Sequence, residues 1–194
     1  MKVAVVEQSE ASERALVQQA RAGDRRAFGE LVTRYMRRAY YAALGLVGSH
    51  EDALDLSQEA FARAFRARAN LDPDLPFYGY LYQIVRRLCF NFLRDSRTRR
   101  ARMVEATPWL MDQAGARAVA TDPARSAERS ELCAVVQAAI ERLPEREREV
   151  LVLKEFEGLR YREIAELLGI PIGTVMSRLY TARRNLAAEL EGVL

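Results

Sequence analysis

Histidine, cysteine and lysine are nearly missing from this chain of 194 residues. Cys89 and Cys133 stand far apart, with no Cys-x-x-Cys pair, and the sole histidine, His50, has no cysteine near it. Such a set excludes a disulfide framework and a zinc site built within one chain. Both cysteines read as small buried apolar side chains. No metal and no cofactor is expected. There is no glycine-rich phosphate loop, and with one histidine and no ligand cluster an enzyme is the least favoured class. Neither a signal peptide nor a run of eighteen apolar residues occurs, so a cytoplasmic, reduced protein is expected. Only Lys2 and Lys154 are lysines; every other basic residue is arginine. Arginine suits phosphate forks, although a GC-rich coding sequence accounts for most of the bias.

What is present is apolar residues at helical spacing. They make up 49% of the chain, enough for a real core, and no strand pattern is convincing. The net charge of +3 is modest, but its distribution is not. Between Arg86 and Arg102 seven arginines face one acid, Asp95, a concentration that attracts a phosphate backbone. Helices are expected over 11–23, from Asp24 to Gly48, over 51–69 behind a Ser49 cap, and over about 77–97. Asn70 to Pro76 is a loop by its Pro and Asp content. From Met103 to about Ala127 periodicity dissolves around Pro108, Gly115 and Pro123, and the local charge turns acidic. A structureless loop of that length is uncommon inside one domain. The expected architecture is therefore all-α: two small helical domains, 1–102 and 128–194, joined by a flexible linker, 103–127. In the second domain Leu143-Pro144 breaks one helix, and Glu145 to Glu155 form the next.

The most informative stretch is 161–186. Ile164, Ala165 and Leu168 make the apolar face of a short helix, Gly169 stops it, and Pro171 opens the next. Val175, Leu179, Ala182 and Leu186 then recur at helical spacing and face inward. Ser177, Arg178, Thr181, Arg184 and Asn185 are left outside, residue types that contact phosphates and base edges. The pattern reads as a helix-turn-helix with its second helix in a major groove. An ordinary helical hairpin with a basic solvated face has the same spacing.

Two further rows stand out. Glu51, Asp55 and Glu59 recur at i, i+4 and i+8, so three acids share a helix face, at a cost of a few tenths of a kcal/mol per like pair. Such a face suits a basic partner, though a solvated face fits equally. In the long helix Leu81, Ile84, Leu88 and Phe92 form a core stripe, and Tyr80, Gln83, Arg87 and Asn91 fall on another face. An aromatic, two amides and an arginine in a row can stack on and bond unpaired bases. Tyr78 and Tyr82 are expected on the remaining surface.

Taken in order, Asp55-Leu56-Ser57-Gln58-Glu59-Ala60-Phe61, Tyr80-Leu81-Tyr82-Gln83-Ile84-Val85-Arg86, Leu143-Pro144 and Gly173-Thr174-Val175-Met176-Ser177-Arg178-Leu179 resemble a bacterial RNA polymerase sigma factor of the extracytoplasmic-function group, part of the sigma-70 family. The match runs from about Leu16 to Leu190. The resemblance implies a region 2 and a region 4 around a linker, and an alternative sigma factor that binds core RNA polymerase and directs promoter recognition, melting and transcription initiation. It implies that Asp55, Gln58, Glu59 and Phe61 bind polymerase, on the clamp of the largest subunit. The minus-ten DNA element falls to Asn70, Leu71, Asp72, Tyr80, Gln83, Arg87, Asn91 and Arg94, which would capture a flipped base. The minus-thirty-five element falls to Thr174, Met176, Ser177, Arg178, Thr181, Arg183 and Arg184, with region 4 on the flap of the second-largest subunit. An anti-sigma factor, often membrane-tethered, is a further implied partner.

The sequence departs from the family pattern in places. The family usually has Trp at Tyr80, Asn at Arg87 and Asp at Asn91, and a basic residue at Met176 and Thr181. An apolar Met176 meets a thymine methyl but cannot fork onto guanine, so no promoter sequence is carried over. The rival reading is a stand-alone helix-turn-helix regulator that never touches polymerase. It leaves the acidic row and the Tyr80-to-Asn91 row unexplained. An appended small-ligand domain is not expected, since the chain ends at Leu194.

Overall fold

A computed structural model describes residues 2–106 and 135–191 of the chain. Within them the backbone is helical, joined by short turns, and contains no strand. Helix α1 spans Lys2–Arg21 and α2 spans Arg25–Val47. The Asp24 carboxylate starts α2 by accepting from the Arg26 and Ala27 amides at 2.7 and 3.3 Å. Gly48, at φ 76°, ends it and returns its N–H to the Leu44 carbonyl. Ser49 caps α3, His50–Arg66, through the Asp52 amide.

Three helix ends differ from expectation: α1 begins at Lys2, well before the expected start at residue 11. Helix α3 stops at Arg66, and Arg68–Asn70 tighten into a 3-10 turn. The Asn70 and Leu71 amides close that turn on the Ala67 and Arg68 carbonyls, and it delivers Leu71 into the core, where it is buried. Helix α4 runs from Phe77 to Ala106, well past the expected end near 97. No glycine or proline interrupts the arginine-rich run before Pro108. Residues 103–106, assigned to the linker from sequence, are thus helical. The rest of the expected linker, with Leu132 and Cys133, lies outside the described residues. Helix α5 is described over 135–142, and Leu143 and Pro144 turn the chain into α6, Glu145–Glu155. Helices α7, Tyr161–Leu168, and α8, Ile172–Glu191, follow.

Helix α2 is the axle of the N-terminal half, packed against α1, α3 and α4. Its Phe28, Leu31, Ala39, Ala42, Ala43 and Leu46 meet Ala53, Ala60, Phe61 and Ala64 of α3 and Phe77, Leu81 and Val85 of α4. The alanines let backbones approach, and aromatics fill the end near the α4 start. Phe28 meets Phe65 edge-on at 5.0 Å between centroids. Glu13 of α1 ties that end together: it accepts from the Phe77 amide at 2.9 Å and from the Tyr35 hydroxyl. The Phe77 amide is one of the orphan donors of α4, so α1 supplies the cap that α4 lacks locally.

The two halves share one core. Val150, Val152 and Leu153 of α6, Ile164 of α7, and Val175 and Leu179 of α8 are continuous with the N-terminal cluster. Helix α6 carries the junction, packing on α2 as well as on α7 and α8. Six consecutive residues, Arg148 to Leu153, are buried, because α6 is covered from both sides. Tyr78 and Tyr82 of α4, expected on the surface, are buried beneath it. Their hydroxyls keep polar partners: Tyr78 donates to Glu157 at 2.8 Å and Tyr82 to Glu149 at 3.4 Å. Arg86 pairs with Glu149, and Arg38 with Glu157 at 2.9 Å. Arg148, wholly buried, donates to the carbonyls of Leu46 (3.3 Å), Leu143 (3.1 Å) and Glu141.

Candidate nucleic-acid and polymerase interfaces

The α7–α8 pair has the expected turn. Gly169 sits at φ 63°, and its N–H reaches the Ala165 and Glu166 carbonyls. Ile170 N–H also closes on the Ala165 carbonyl at 3.0 Å, so the Ala165 and Glu166 carbonyls of the last α7 turn are satisfied. The Glu163 carboxylate reaches back to the Arg160 amide at 2.6 Å and holds the other end. Val175, Leu179 and Ala182 are buried, while Leu186 is partly buried against a small cluster of Ile140, Leu143, Leu151 and Ala182.

The opposite face of α8 is open. Met176 is 53% exposed and Tyr180 69% exposed, one turn apart, with Ser177 and Arg184 also exposed. Tyr180 was not singled out from sequence; its signal is an aromatic one turn beyond Met176, off the buried stripe. Ser177 and Thr181 donate their hydroxyls to the carbonyls of Thr174 and Ser177 at 3.1 and 3.0 Å. Their oxygens remain acceptors for an outside donor. Arg183 pairs with Glu155 at 2.7 Å, which with Tyr161 raises its already high pKa. Arg178 is half-buried on the Glu149 side, so it is less open than the spacing implied. Asn185, read as outward-facing, donates to Glu147 at 2.8 Å.

On α3, Glu51, Asp55 and Gln58 are exposed. Glu59 is not a free acid. Arg63 at 2.7 Å and Arg66 at 2.9 Å bind one carboxylate oxygen, and the Arg63 hydrogen bond leads in holding its pKa below the usual range. Phe61 does not share this face: it is buried in the α2–α3–α4 core. Counting it with the polymerase-binding residues is corrected on that ground, since the side chain points away from any docking partner. Leu54, 39% exposed beside Asp55, is the apolar member of the face that periodicity hid.

On α4, Gln83, Arg87 and Arg94 are exposed, and Tyr80 and Asn91 half-buried. The Asn91 amide oxygen accepts from Arg94. The Gln83 amide donates to the Leu167 carbonyl of α7 at 3.1 Å. In the preceding loop Asn70 and Asp72 are exposed, and Asp72 accepts from the Asp74 amide at 2.9 Å. Leu71 is buried, so its assignment to the DNA surface is corrected; Leu75, 62% exposed, is the apolar group the loop offers.

Two stretches of the chain match known families: residues 31–99 match Sigma-70 region 2, and residues 133–186 match Sigma-70, region 4. The RNA polymerase sigma-H factor of Pseudomonas aeruginosa is 35% identical over 188 residues, covering 92% of this chain and 94% of that one. The chain belongs to the sigma-70 family, in its extracytoplasmic-function group. The ECF RNA polymerase sigma-E factor of Escherichia coli K12 is 32% identical over 187 residues, 94% of this chain and 96% of its own. Among solved structures, CnrH in complex with the cytosolic domain of CnrY superposes with a TM-score of 0.68 at 28% identity, covering 94% of this chain and 99% of that one. The chain is an alternative sigma factor that directs transcription initiation, and its two regions imply binding to core RNA polymerase and promoter DNA. Its relatives are sigma factors, not enzymes. Among the described residues no helix is long and apolar enough to cross a membrane, and no cluster of His, Cys, Asp and Glu could hold a metal.

Proposed function

We propose that three surfaces divide the work of this sigma factor. The α3 face of Glu51, Leu54, Asp55 and Gln58 docks on a basic surface of core polymerase, the clamp of the largest subunit. Glu59, paired with Arg63 and Arg66, borders this face without adding a free charge to it. Region 4 rests on the flap of the second-largest subunit. Tyr80, Gln83, Arg87, Asn91 and Arg94, with Asn70 and Asp72 of the loop, receive the minus-ten strand. Thr174, Met176, Ser177, Arg178, Thr181, Arg183 and Arg184 face the minus-thirty-five duplex, joined by Tyr180. Residues 1–102 and 128–194 act as the two functional units, with 103–127 between them. An anti-sigma factor is a further partner; the similar protein CnrH is itself found in complex with the cytosolic domain of CnrY. The protein works in the cytoplasm, where polymerase is.

The observation that carries the reading is the α8 surface. Met176 and Tyr180 are exposed apolar groups beside exposed Ser177 and Arg184, on the helix that follows the turn. Much of each side chain is left uncovered by the fold, and a thymine methyl and a phosphate would supply partners for this face. The α3 surface supplies the discriminating experiment. A stand-alone regulator needs no polymerase, so co-elution with core polymerase on gel filtration separates the two readings. Asp55→Arg with Leu54→Ala should abolish co-elution while circular dichroism stays unchanged. Reversal against a basic surface adds like-charge repulsion of several kcal/mol, where truncation of an exposed charge costs little. Co-elution of the variant at the wild-type level sinks the proposed docking face.

A further inference from the structure

Arg34, Arg37, Arg38 and Tyr41 recur at i, i+3, i+4 and i+7, so they share one face of α2. With Phe156 and Glu157, in the turn that follows α6, they line an open cleft of about 460 Å³. Ligand sites run from about 300 to 1,000 Å³, so the cleft has room for one small molecule or one unit of a larger one.

One end of the cleft is cationic. Arg38 is held in place: its Nε donates to the Glu157 carboxylate at 2.9 Å, and its guanidinium lies 3.6 Å over the Tyr78 ring. A guanidinium has five N–H groups, more than those two partners take up, and 37% of the side chain is exposed. Glu157, with a side chain 1% exposed, is bound by Tyr78 at 2.8 Å as well as by Arg38, so its charge is already balanced. Arg34 has Ser12 at 3.2 Å and Glu13 at 4.0 Å. Arg37 pairs with no acid among the described residues. The cleft thus has an excess of positive charge, presented as planar forks that match the oxygens of a phosphate.

The other end is aromatic. Tyr41 is 40% exposed and Phe156 42% exposed. Phe156 rests on the last turn of α2, where the position of a Cβ on Gly45 is 3.3 Å from its ring. Tyr41 keeps its exposure although the Arg37 guanidinium lies 5.6 Å over it and Tyr40 meets it edge-on at 5.2 Å. From Arg34 to Tyr41 is seven residues, about 10 Å of helix. That separation suits a nucleotide, with its phosphate at one end and its base at the other. A simple anion would leave the rings bare, and a peptide strand needs a longer groove than two helical turns provide.

We propose that this cleft binds a nucleotide unit, its phosphate on Arg34, Arg37 and Arg38 and its base against Tyr41 and Phe156. A free nucleotide and one residue of a single strand offer the same chemistry, since every base has a π-face. None of these residues belongs to the promoter-reading or polymerase-docking surfaces, so the site is independent of both assignments.

The test is calorimetric titration of the full chain with ATP, GTP, thymidine triphosphate, inorganic triphosphate and decathymidylate, in wild type, Arg37→Ala and Tyr41→Leu. Both residues are exposed, so both variants should keep the wild-type circular dichroism; Phe156→Ala replaces Tyr41→Leu if that variant fails to fold. Wild type should bind at least one nucleotide saturably, with a Kd below about 1 mM. Arg37→Ala should weaken nucleotides and triphosphate alike, by about tenfold or more. Tyr41→Leu should weaken nucleotides by about fivefold or more and leave triphosphate unchanged. Decathymidylate bound tighter than thymidine triphosphate, with the excess lost in Tyr41→Leu, identifies a strand as the occupant; equal or weaker binding identifies the free nucleotide. Triphosphate bound as tightly as the nucleotides, with Tyr41→Leu silent, reduces the cleft to an anion patch and overturns the proposal. So does the lack of any nucleotide or strand binding that depends on both Arg37 and Tyr41, including the case where an acidic peptide bearing phenylalanine binds in their place.

Discussion

Arg148 should be the side chain whose loss costs this protein most among the charged residues. It is wholly buried, and its guanidinium serves the carbonyls of Leu46, Leu143 and Glu141. The Leu46 carbonyl is in the last turn of α2, where no intrahelical donor remains. Arg148→Met keeps the length of the stem and removes all three donors. Hydrogen bonds from a charged group are worth about 1.5–3 kcal/mol each, a gross loss of about 5–9 kcal/mol. Against this, the variant no longer desolvates a guanidinium, an effective penalty of several kcal/mol. The net expectation is about 3 kcal/mol of destabilisation. For a chain of this length, with a urea slope toward the upper end of about 1–3 kcal/mol per molar, the midpoint should fall by roughly 1 M at unchanged slope. Arg148→Lys should recover only part, since one ammonium cannot reach three carbonyls as a fork does. A midpoint within ~0.2 M of wild type for Arg148→Met would refute the reasoning and make the three bonds energetically neutral.

Other expectations follow from the exposed surfaces and the buried acids. Tyr180→Ala should weaken binding of holoenzyme to the upstream element by about 1–3 kcal/mol in a sequence-dependent way, whereas Arg184→Ala, if it holds a phosphate, should weaken all duplexes alike and flatten the salt slope; competition titrations at two salt concentrations read both. Tyr80→Ala holoenzyme should form closed complexes with promoter DNA yet show less permanganate reactivity at melted thymines, because stacking is worth about 1–3 kcal/mol per base. A premelted template should restore much of its activity. Glu149 and Glu157 have carboxyls raised by burial, so the folded chain takes up protons at pH values where the unfolded chain does not. Stability from these two groups is therefore gained as pH falls toward the ordinary carboxylate range and lost as pH rises. Relative to Glu149→Gln with Glu157→Gln, wild type should gain urea midpoint between pH 8 and pH 5; a relative loss contradicts the assignment.

Much of this was legible because it is local. Asp24, Gly48, Ser49 and Gly169 terminate helices by chemistry contained in a few residues, and each does so in the structure. The inward stripe of Val175, Leu179 and Ala182 follows from spacing alone. What sequence missed is what two distant segments decide together. Tyr78 and Tyr82 read as surface residues because α4 already has a core stripe, and only the arrival of α6 buries them. Helix α6 itself shows no apolar stripe, since both of its sides are covered. The cap on Phe77 comes from Glu13, 64 residues upstream, beyond the reach of any local rule. In the candidate surfaces the misassigned residues are apolar. Phe61 and Leu71 carry a family motif or a loop position, yet their side chains point inward, while Leu54, Leu75 and Tyr180 point out. A motif states which segment acts; only packing states which of its side chains are free to act.

The central claim is that this chain gives core RNA polymerase its choice of promoter. Sequencing the five-prime ends of transcripts made in vitro by core polymerase, with and without the protein, tests it most directly. The account predicts a set of start sites seen only when the protein is present, each preceded by shared minus-ten and minus-thirty-five sequences, and lost with Asp55→Arg plus Leu54→Ala. Start sites identical with and without the protein, while it binds duplex DNA alone, would contradict the account and leave a stand-alone regulator.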